Sequence, residues 1–141
     1  MNLSNYYYYF KKALSQEWCN QIIECGLEKK QKKAVTLNKD STSRDCSISW
    51  LNENWIYKEL HPYVNEANKK ANWNFQWDQS ESIQFTIYKP NEYYNWHSDD
   101  YQDYETINKK QRKLSMSVSL SNKKDYEGGE LEFDFRNLDP D

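Results

Sequence analysis

The chain has 141 residues, a net charge of -3 at pH 7 and a mean hydropathy of -1.17. This length predicts one domain that is long enough for a sizeable core. No excess of basic residues suggests nucleic acid, and no apolar run approaches the roughly 18 residues that a membrane span needs. The N-terminus lacks the pattern of a signal peptide. Three cysteines without a C-x-x-C motif then predict reduced thiols and a cytoplasmic location.

The first third of the chain predicts a strand, a helix and two more strands. Residues 3–10 are rich in Tyr and Phe, which favours a strand. Ser15 is a good N-cap for a helix whose apolar residues continue to Leu27, and the lysines of 29–33 are expected at its solvated end. Two short strands are then predicted, joined by a polar loop over 38–45. They cover residues 34–37 and 46–51.

A second helix is predicted over residues 52–72, where apolar residues recur at helical spacing. Pro62 lies inside this pattern, so we expect a kink or a restart there. His61 is beside that proline, and a lone histidine on a helix is expected to be structural rather than a ligand.

The second half of the chain alternates apolar and polar residues, which predicts β-strands. The clearest case is residues 113–121, where an apolar face alternates with serines. The other alternating stretches are 73–77, 82–88 and 130–135. Helices first and strands later predict an α+β fold with helices packed against an antiparallel sheet or barrel.

His97 and Asp99 are the candidate catalytic and metal-binding residues. They are two residues apart, and side chains at i and i+2 share one face of a strand, which we expect over 93–99. One imidazole and one carboxylate are two of the three protein ligands in the 2-His-1-carboxylate set that holds non-haem Fe(II). We expect both side chains to face the interior of the fold and to lie close enough to share a metal.

The residues around this pair resemble the Fe(II)- and 2-oxoglutarate-dependent dioxygenases, specifically the prolyl-hydroxylase-like (PKHD-type) branch encoded by bacteria and phages. Tyr88, Tyr94, His97 and Asp99 fall at the spacing of that branch, with Asn91 where the family has glycine. Asn tolerates a left-handed turn better than other non-glycine residues, so the replacement is mild. Two later stretches also resemble family strands, and the three together span about residues 85–135. They are R-K-L-S-M-S-V-S-L-S and D-Y-E-G-G-E-L-E-F, beginning at Arg112 and Asp125.

The resemblance implies a double-stranded β-helix, or jelly-roll, in one domain over residues 1–141, with supporting N-terminal helices. It implies Fe(II) and 2-oxoglutarate as cofactors, with ascorbate an optional addition, and hydroxylation of a protein or peptide side chain, prolyl in the first place. Succinate and CO2 are the implied co-products, and neither nucleic acid nor membrane is an implied partner. Tyr88 is implied to bind 2-oxoglutarate, with an ordinary sheet aromatic as the alternative. Ser115, Ser117 and Ser119 line the co-substrate site or form a solvated face.

One departure from the family is serious: the chain has no histidine after His97, although the family's third metal ligand is a later histidine followed by a basic carboxylate anchor. We therefore expect a C-terminally incomplete domain, with a naturally short form that has lost its last strands as the alternative, and little or no activity from the 141-residue form itself. The alternatives are a non-catalytic jelly-roll module that binds a partner through its aromatic surface, and a cupin-like protein with another ligand set. The sequence leaves the substrate and the oligomeric state open.

Overall fold

The computed structural model describes residues 5–34, 43–99 and 111–134. Two α-helices and five β-strands are formed there, followed by a 3-10 helix over Lys123–Asp125. In chain order the elements are α1 Gln16–Glu28, β1 Lys32–Lys33, β2 Arg44–Asp45, β3 Ser47–Leu51, α2 Asn54–Lys70, β4 Ile83–Ile87 and β5 Tyr93–Tyr94.

Helix α1 begins where the sequence predicts. The Ser15 hydroxyl accepts a hydrogen bond from the Trp18 N–H at 3.1 Å, which satisfies one of the free N–H groups of the first turn. The lysines beyond the helix were expected only as its solvated end. Lys32 and Lys33 instead form β1, an exposed strand at the edge of the sheet. Charged side chains on an edge strand hinder its pairing with another chain.

The larger sheet has three antiparallel strands in the order β1-β3-β4. Its central strand β3 pairs with β4 along its whole length, from Ser47 opposite Ile87 to Leu51 opposite Ile83. This matches the strands predicted over 46–51 and 82–88. The predicted strand 34–37 begins with Ala34, which lies outside β1, and its other residues are outside the described ranges.

A hydrophobic core lies between this sheet and the two helices. Leu51 and Ile56 are fully buried in it, with Ile22, Leu60 and Phe85 beside them. Full burial of such side chains contributes about 1.5–3 kcal/mol each to folding. The three cysteines are free thiols, as expected.

Gly26 sets how closely α1 approaches the sheet. A Cβ atom at this position would come within 2.5 Å of the Phe85 ring, so no larger residue fits without movement. The Gly26 carbonyl also accepts a hydrogen bond from the buried Ser49 hydroxyl at 3.0 Å. The glycine that lowers helix propensity is therefore the contact point between α1 and the sheet.

Helix α2 runs as one element through Pro62, so of the two expected outcomes, a kink or a restart, the restart does not occur. Proline removes one intrahelical hydrogen bond. Burial of Leu60 and Ile56, two and six residues before the proline, and of Asn68, six residues after it, holds both sides of the helix against the rest of the molecule.

Several predicted strands are not formed as paired strands within the described residues. Residues 5–10, 73–77, 113–121 and 130–134 have no ladder, and the stretch 93–99 pairs only at Tyr93–Tyr94. Alternation predicts which side chains face the core, but a strand also needs a neighbouring backbone. For residues 113–121, the prediction of which side chains face the core holds better than the prediction of a strand. Val118 and Leu120 pack against the core, while the serines beside them are exposed.

Helices and antiparallel sheets together fit the predicted α+β class. The sheets are small and open, and they do not establish the jelly-roll. Within the described ranges, neither helix is long and apolar enough to cross a membrane.

Candidate metal centre

The site lies after β4, where a tight turn reverses the chain into β5. The Lys89 N–H donates to the Glu92 carboxylate at 2.6 Å, and the Glu92 N–H donates to the Lys89 carbonyl at 3.0 Å. Asn91 takes a left-handed conformation with φ of 67°, as expected for the residue that replaces the family's glycine. The turn delivers β5 to β2, where Tyr94 lies opposite Arg44 and Tyr93 opposite Asp45.

His97 and Asp99 lie together just beyond β5. His97 Nε2 is 3.3 Å from Asp99 Oδ1. His97 Nδ1 is 2.8 Å from the Asn95 carbonyl, which can only accept, so Nδ1 carries the proton. The lone pair of Nε2 then faces a carboxylate oxygen, an arrangement that a shared cation stabilises.

The two side chains are more exposed than expected: the exposed fraction is 36% for His97 and 49% for Asp99. The described residues form no barrel, so the prediction that the pair faces a barrel interior stays a prediction. The meeting of the two side chains does not come from a regular strand over 93–99. It comes from the chain leaving β5, where stacking of the His97 ring on the Tyr94 ring, with centroids 3.5 Å apart, orients the imidazole.

Two neighbours hold Asp99 in place. The Ser115 hydroxyl donates to Asp99 Oδ2, which leaves Oδ1 directed at His97. Arg112 donates from Nη1 to the Asp99 backbone carbonyl at 2.7 Å. Glu81 in turn pairs with Arg112 through both of its carboxylate oxygens. Glu81 therefore holds in position the arginine that binds the Asp99 backbone carbonyl.

Within the described residues, no hydrogen bond joins the other predicted cofactor-binding residues to the pair. The Tyr88 hydroxyl interacts with Arg44 and Cys46, and desolvation, aided by the Cys46 sulfur and opposed by Arg44, raises the pKa of Tyr88. The phenol is therefore neutral and able to donate. Ser117 and Ser119 are exposed and contact neither member of the pair.

Sequence reasoning missed Arg44, which it left in a polar loop. Arg44 is buried, with 7% of its surface exposed, and its guanidinium carbon lies 4.3 Å from the centre of the Tyr94 ring. Its Nε donates to Cys46 Sγ at 3.0 Å. No local signal marks this arginine, because pairing of β2 with β5 is what brings it to Tyr94.

The described part of the chain contains no group of three or more His, Cys, Asp or Glu side chains that could hold a metal. His61 does not complete the pair: it bonds Ser80 at 2.9 Å and packs against Trp77, as a structural histidine would. The pair alone nevertheless fits a metal, because cis ligands about 2.1 Å from one ion lie roughly 3 Å from each other. To such an ion His97 and Asp99 would supply one nitrogen and one oxygen ligand.

Residues 83–140 match the family model of the 2OG-Fe(II) oxygenase superfamily. The matched segment contains β4, β5, His97, Asp99 and Ser115. The matched segment, less than half of the chain, is therefore similar to that superfamily, whose name states Fe(II) and 2-oxoglutarate. Searches of curated proteins and of solved structures found no match.

Proposed function

We propose that this chain is part of an Fe(II)- and 2-oxoglutarate-dependent dioxygenase that hydroxylates a protein or peptide side chain. One observation carries the proposal: His97 Nε2 and Asp99 Oδ1 lie 3.3 Å apart in a segment that matches the oxygenase family. When bound, iron supplies the redox chemistry that couples decarboxylation of 2-oxoglutarate to oxidation of a C–H bond.

The residues of the chain contribute binding and orientation. His97 offers Nε2 because Asn95 holds the proton on Nδ1. Asp99 offers Oδ1 because Ser115 occupies Oδ2 and Arg112 holds the backbone. The two side chains are 36% and 49% exposed, which leaves them accessible to a co-substrate and to the side chain to be oxidised.

The finer parts of this proposal rest on the sequence resemblance. They are the PKHD-type branch, the prolyl substrate, the jelly-roll, the use of ascorbate, a bacterial or phage origin, a cytoplasmic location, and roles for Tyr88, Ser115 and Ser119 in binding 2-oxoglutarate. Low activity of the 141-residue form also stays a prediction.

The test is succinate formation from 2-oxoglutarate by the natural gene product that contains these residues, with and without Fe(II). We expect iron-dependent turnover that His97→Ala and Asp99→Ala abolish. The matched control is His61→Gln, which changes the chain's other histidine and should keep turnover within about twofold. Circular dichroism checks that each variant is folded.

Succinate formation by His97→Ala at the wild-type rate would show that this pair is not the catalytic site. No turnover by the wild-type gene product, with iron bound or not, would favour the non-catalytic binding module. The 141-residue form is assayed in parallel, and robust turnover by it would overturn the predicted inactivity while leaving the dioxygenase function standing.

A further inference from the structure

Arg44 is held in one position on β2, beside the strand that leads to the metal-binding pair. Only 7% of its surface is exposed, and its Nε donates to Cys46 Sγ at 3.0 Å. In the β2–β5 ladder Arg44 lies opposite Tyr94, and its guanidinium carbon is 4.3 Å from the centre of that ring. The electron-rich face of a tyrosine ring attracts a cation at this distance. Burial, the sulfur contact and the ladder therefore hold the guanidinium against the ring.

The Tyr94 ring lies between Arg44 and His97. The imidazole stacks on the phenol ring, with ring centres 3.5 Å apart and planes within 10° of parallel. Two groups this close to the centre of one ring cannot share a face, so Arg44 and His97 lie on opposite faces. Contact on both faces keeps Tyr94 from tilting away from either neighbour. The stack of Arg44, Tyr94 and His97 thus begins at a buried side chain on β2 and ends at a candidate metal ligand.

A second contact from the same segment limits the rotation of the imidazole. His97 Nδ1 is 2.8 Å from the Asn95 carbonyl, and the Asn95 N–H donates to the Ser43 carbonyl at 2.9 Å. One hydrogen bond leaves a ring free to turn about the bond axis, whereas a stacked neighbour defines the plane of the ring. Together the two contacts direct Nε2 at Asp99 Oδ1, 3.3 Å away. Both contacts lead back to the adjacent residues Ser43 and Arg44, although His97 itself lies outside the paired strands.

We propose that Arg44 is a positioning residue for the metal-binding pair, and that it acts on His97 through the Tyr94 ring. A ligand that is already oriented loses less side-chain freedom when a metal binds, so the stack should increase metal affinity. The inference deepens the proposed function, and it rests on that function only for the nature of the metal.

The first measurement is proton NMR of the metal-free 141-residue chain, in which His61 and His97 are the only histidines. Stacking on Tyr94 should shift the ring-proton signals of His97 through the ring current of the phenol. His61 packs against Trp77 instead, so its signals are an internal reference in the same spectrum. All spectra are recorded at the same alkaline pH.

The variants separate the ring from the cation that lies over it. Tyr94→Leu should abolish the ring-current shift of the His97 signals, and Arg44→Met should reduce it. Tyr94→Phe, which keeps the ring, should restore the shift that Tyr94→Leu loses. The matched control is Lys123→Met, which removes a cation lying 4.7 Å from the centre of another tyrosine ring, Tyr126, and should leave the His97 signals unchanged.

The second measurement is a Co(II) titration of the natural gene product against a competing indicator. Arg44→Met and Tyr94→Leu should each weaken Co(II) binding about tenfold, as expected when a group that orients a metal ligand is lost. Tyr94→Phe should recover most of that affinity, because the stack needs the ring and not the hydroxyl.

Each outcome supports or overturns the role of Arg44. Wild-type His97 signals or wild-type Co(II) affinity in Arg44→Met would overturn it, and wild-type signals in Tyr94→Leu would exclude the route through the ring. If Arg44→Met does not fold, Arg44→Gln, which keeps an N–H donor for Cys46, is judged by the same criteria. No Co(II) binding by the wild-type protein would also overturn it. Arg44-dependent Co(II) binding without any succinate formation would retain the inference and reject the dioxygenase.

Discussion

The imidazole of His97 and the carboxylate of Asp99 face each other, with Nε2 and Oδ1 3.3 Å apart. The other nitrogen of His97 is already engaged by the Asn95 carbonyl, and the other oxygen of Asp99 by the Ser115 hydroxyl. One nitrogen and one oxygen are thus directed at the same point. Substitutions of the residues that orient these two atoms can test whether the arrangement binds a metal.

Replacing Ser115 with Ala should weaken metal binding. The hydroxyl holds Oδ2 of Asp99, and loss of such an outer contact typically lowers metal affinity about 10- to 100-fold. The measurement is a Co(II) or Fe(II) titration against a competing indicator. Ser117→Ala is the control, because Ser117 is exposed and does not contact Asp99. Equal losses in the two variants would show that the Ser115 contact has no specific role.

Replacing Glu81 with Gln should also weaken metal binding, by a few-fold. The carboxylate holds Arg112 in the position from which Nη1 reaches the Asp99 carbonyl at 2.7 Å. Glu81 is exposed, so the effect should shrink as salt is added. Glu130→Gln makes the same change at a surface pair with Lys123 and should leave the affinity unchanged. If the Glu81→Gln protein binds metal with wild-type affinity at low salt, Glu81 does not support the metal site through Arg112.

Replacing Gly26 with Ala should destabilise the fold. Helix propensity favours Ala by about 1 kcal/mol, but the new Cβ would meet the Phe85 ring at 2.5 Å, and overpacking costs about 1–3 kcal/mol. We expect a lower free energy of unfolding in urea. Gln21→Ala, on the exposed side of α1, should not be destabilising. Gly26→Ala should lower the free energy of unfolding by less in a protein that already carries Phe85→Leu. If the losses from the two substitutions are strictly additive, the clash between the new Cβ and the Phe85 ring is excluded.

The pair formed by Lys29 and Glu53 should make stability depend on pH. Their charged atoms are 2.5 Å apart, and the hydrogen bond from Lys29 holds the pKa of Glu53 below its usual range. A lowered folded pKa means that the stabilisation is present above the unfolded pKa of Glu53 and is lost as pH falls through the folded value. Glu53→Gln should therefore lower the melting temperature at pH 7, with the difference from wild type vanishing in acid. Glu59→Gln, an exposed change on α2, should show no such pH-dependent difference.

Much of the first half could be predicted because its signals are local. Ser15 caps α1, apolar spacing outlines α2, and alternation marks β3 and β4. The role of Gly26 could not be predicted, because a glycine that lowers helix propensity looks the same whether or not a ring lies against it.

The strands predicted over 113–121 and 130–135 show the limit of alternation. The pattern predicted which side chains face inward, and Val118 and Leu120 do pack against the core. Whether an extended segment becomes a strand depends on a partner backbone at hydrogen-bonding distance, which is a property of two segments and not of one.

For the site, the sequence by itself determined the chemistry: an imidazole and a carboxylate two residues apart, a left-handed turn at Asn91 and a serine-rich segment downstream. Only the tertiary structure decided which groups meet. It selected Ser115 among the serines, left His97 and Asp99 partly exposed, and brought Arg44 against Tyr94 through the β2–β5 ladder. Residue identity sets what a side chain can donate, accept or ligate, whereas contacts between distant segments depend on how the chain packs.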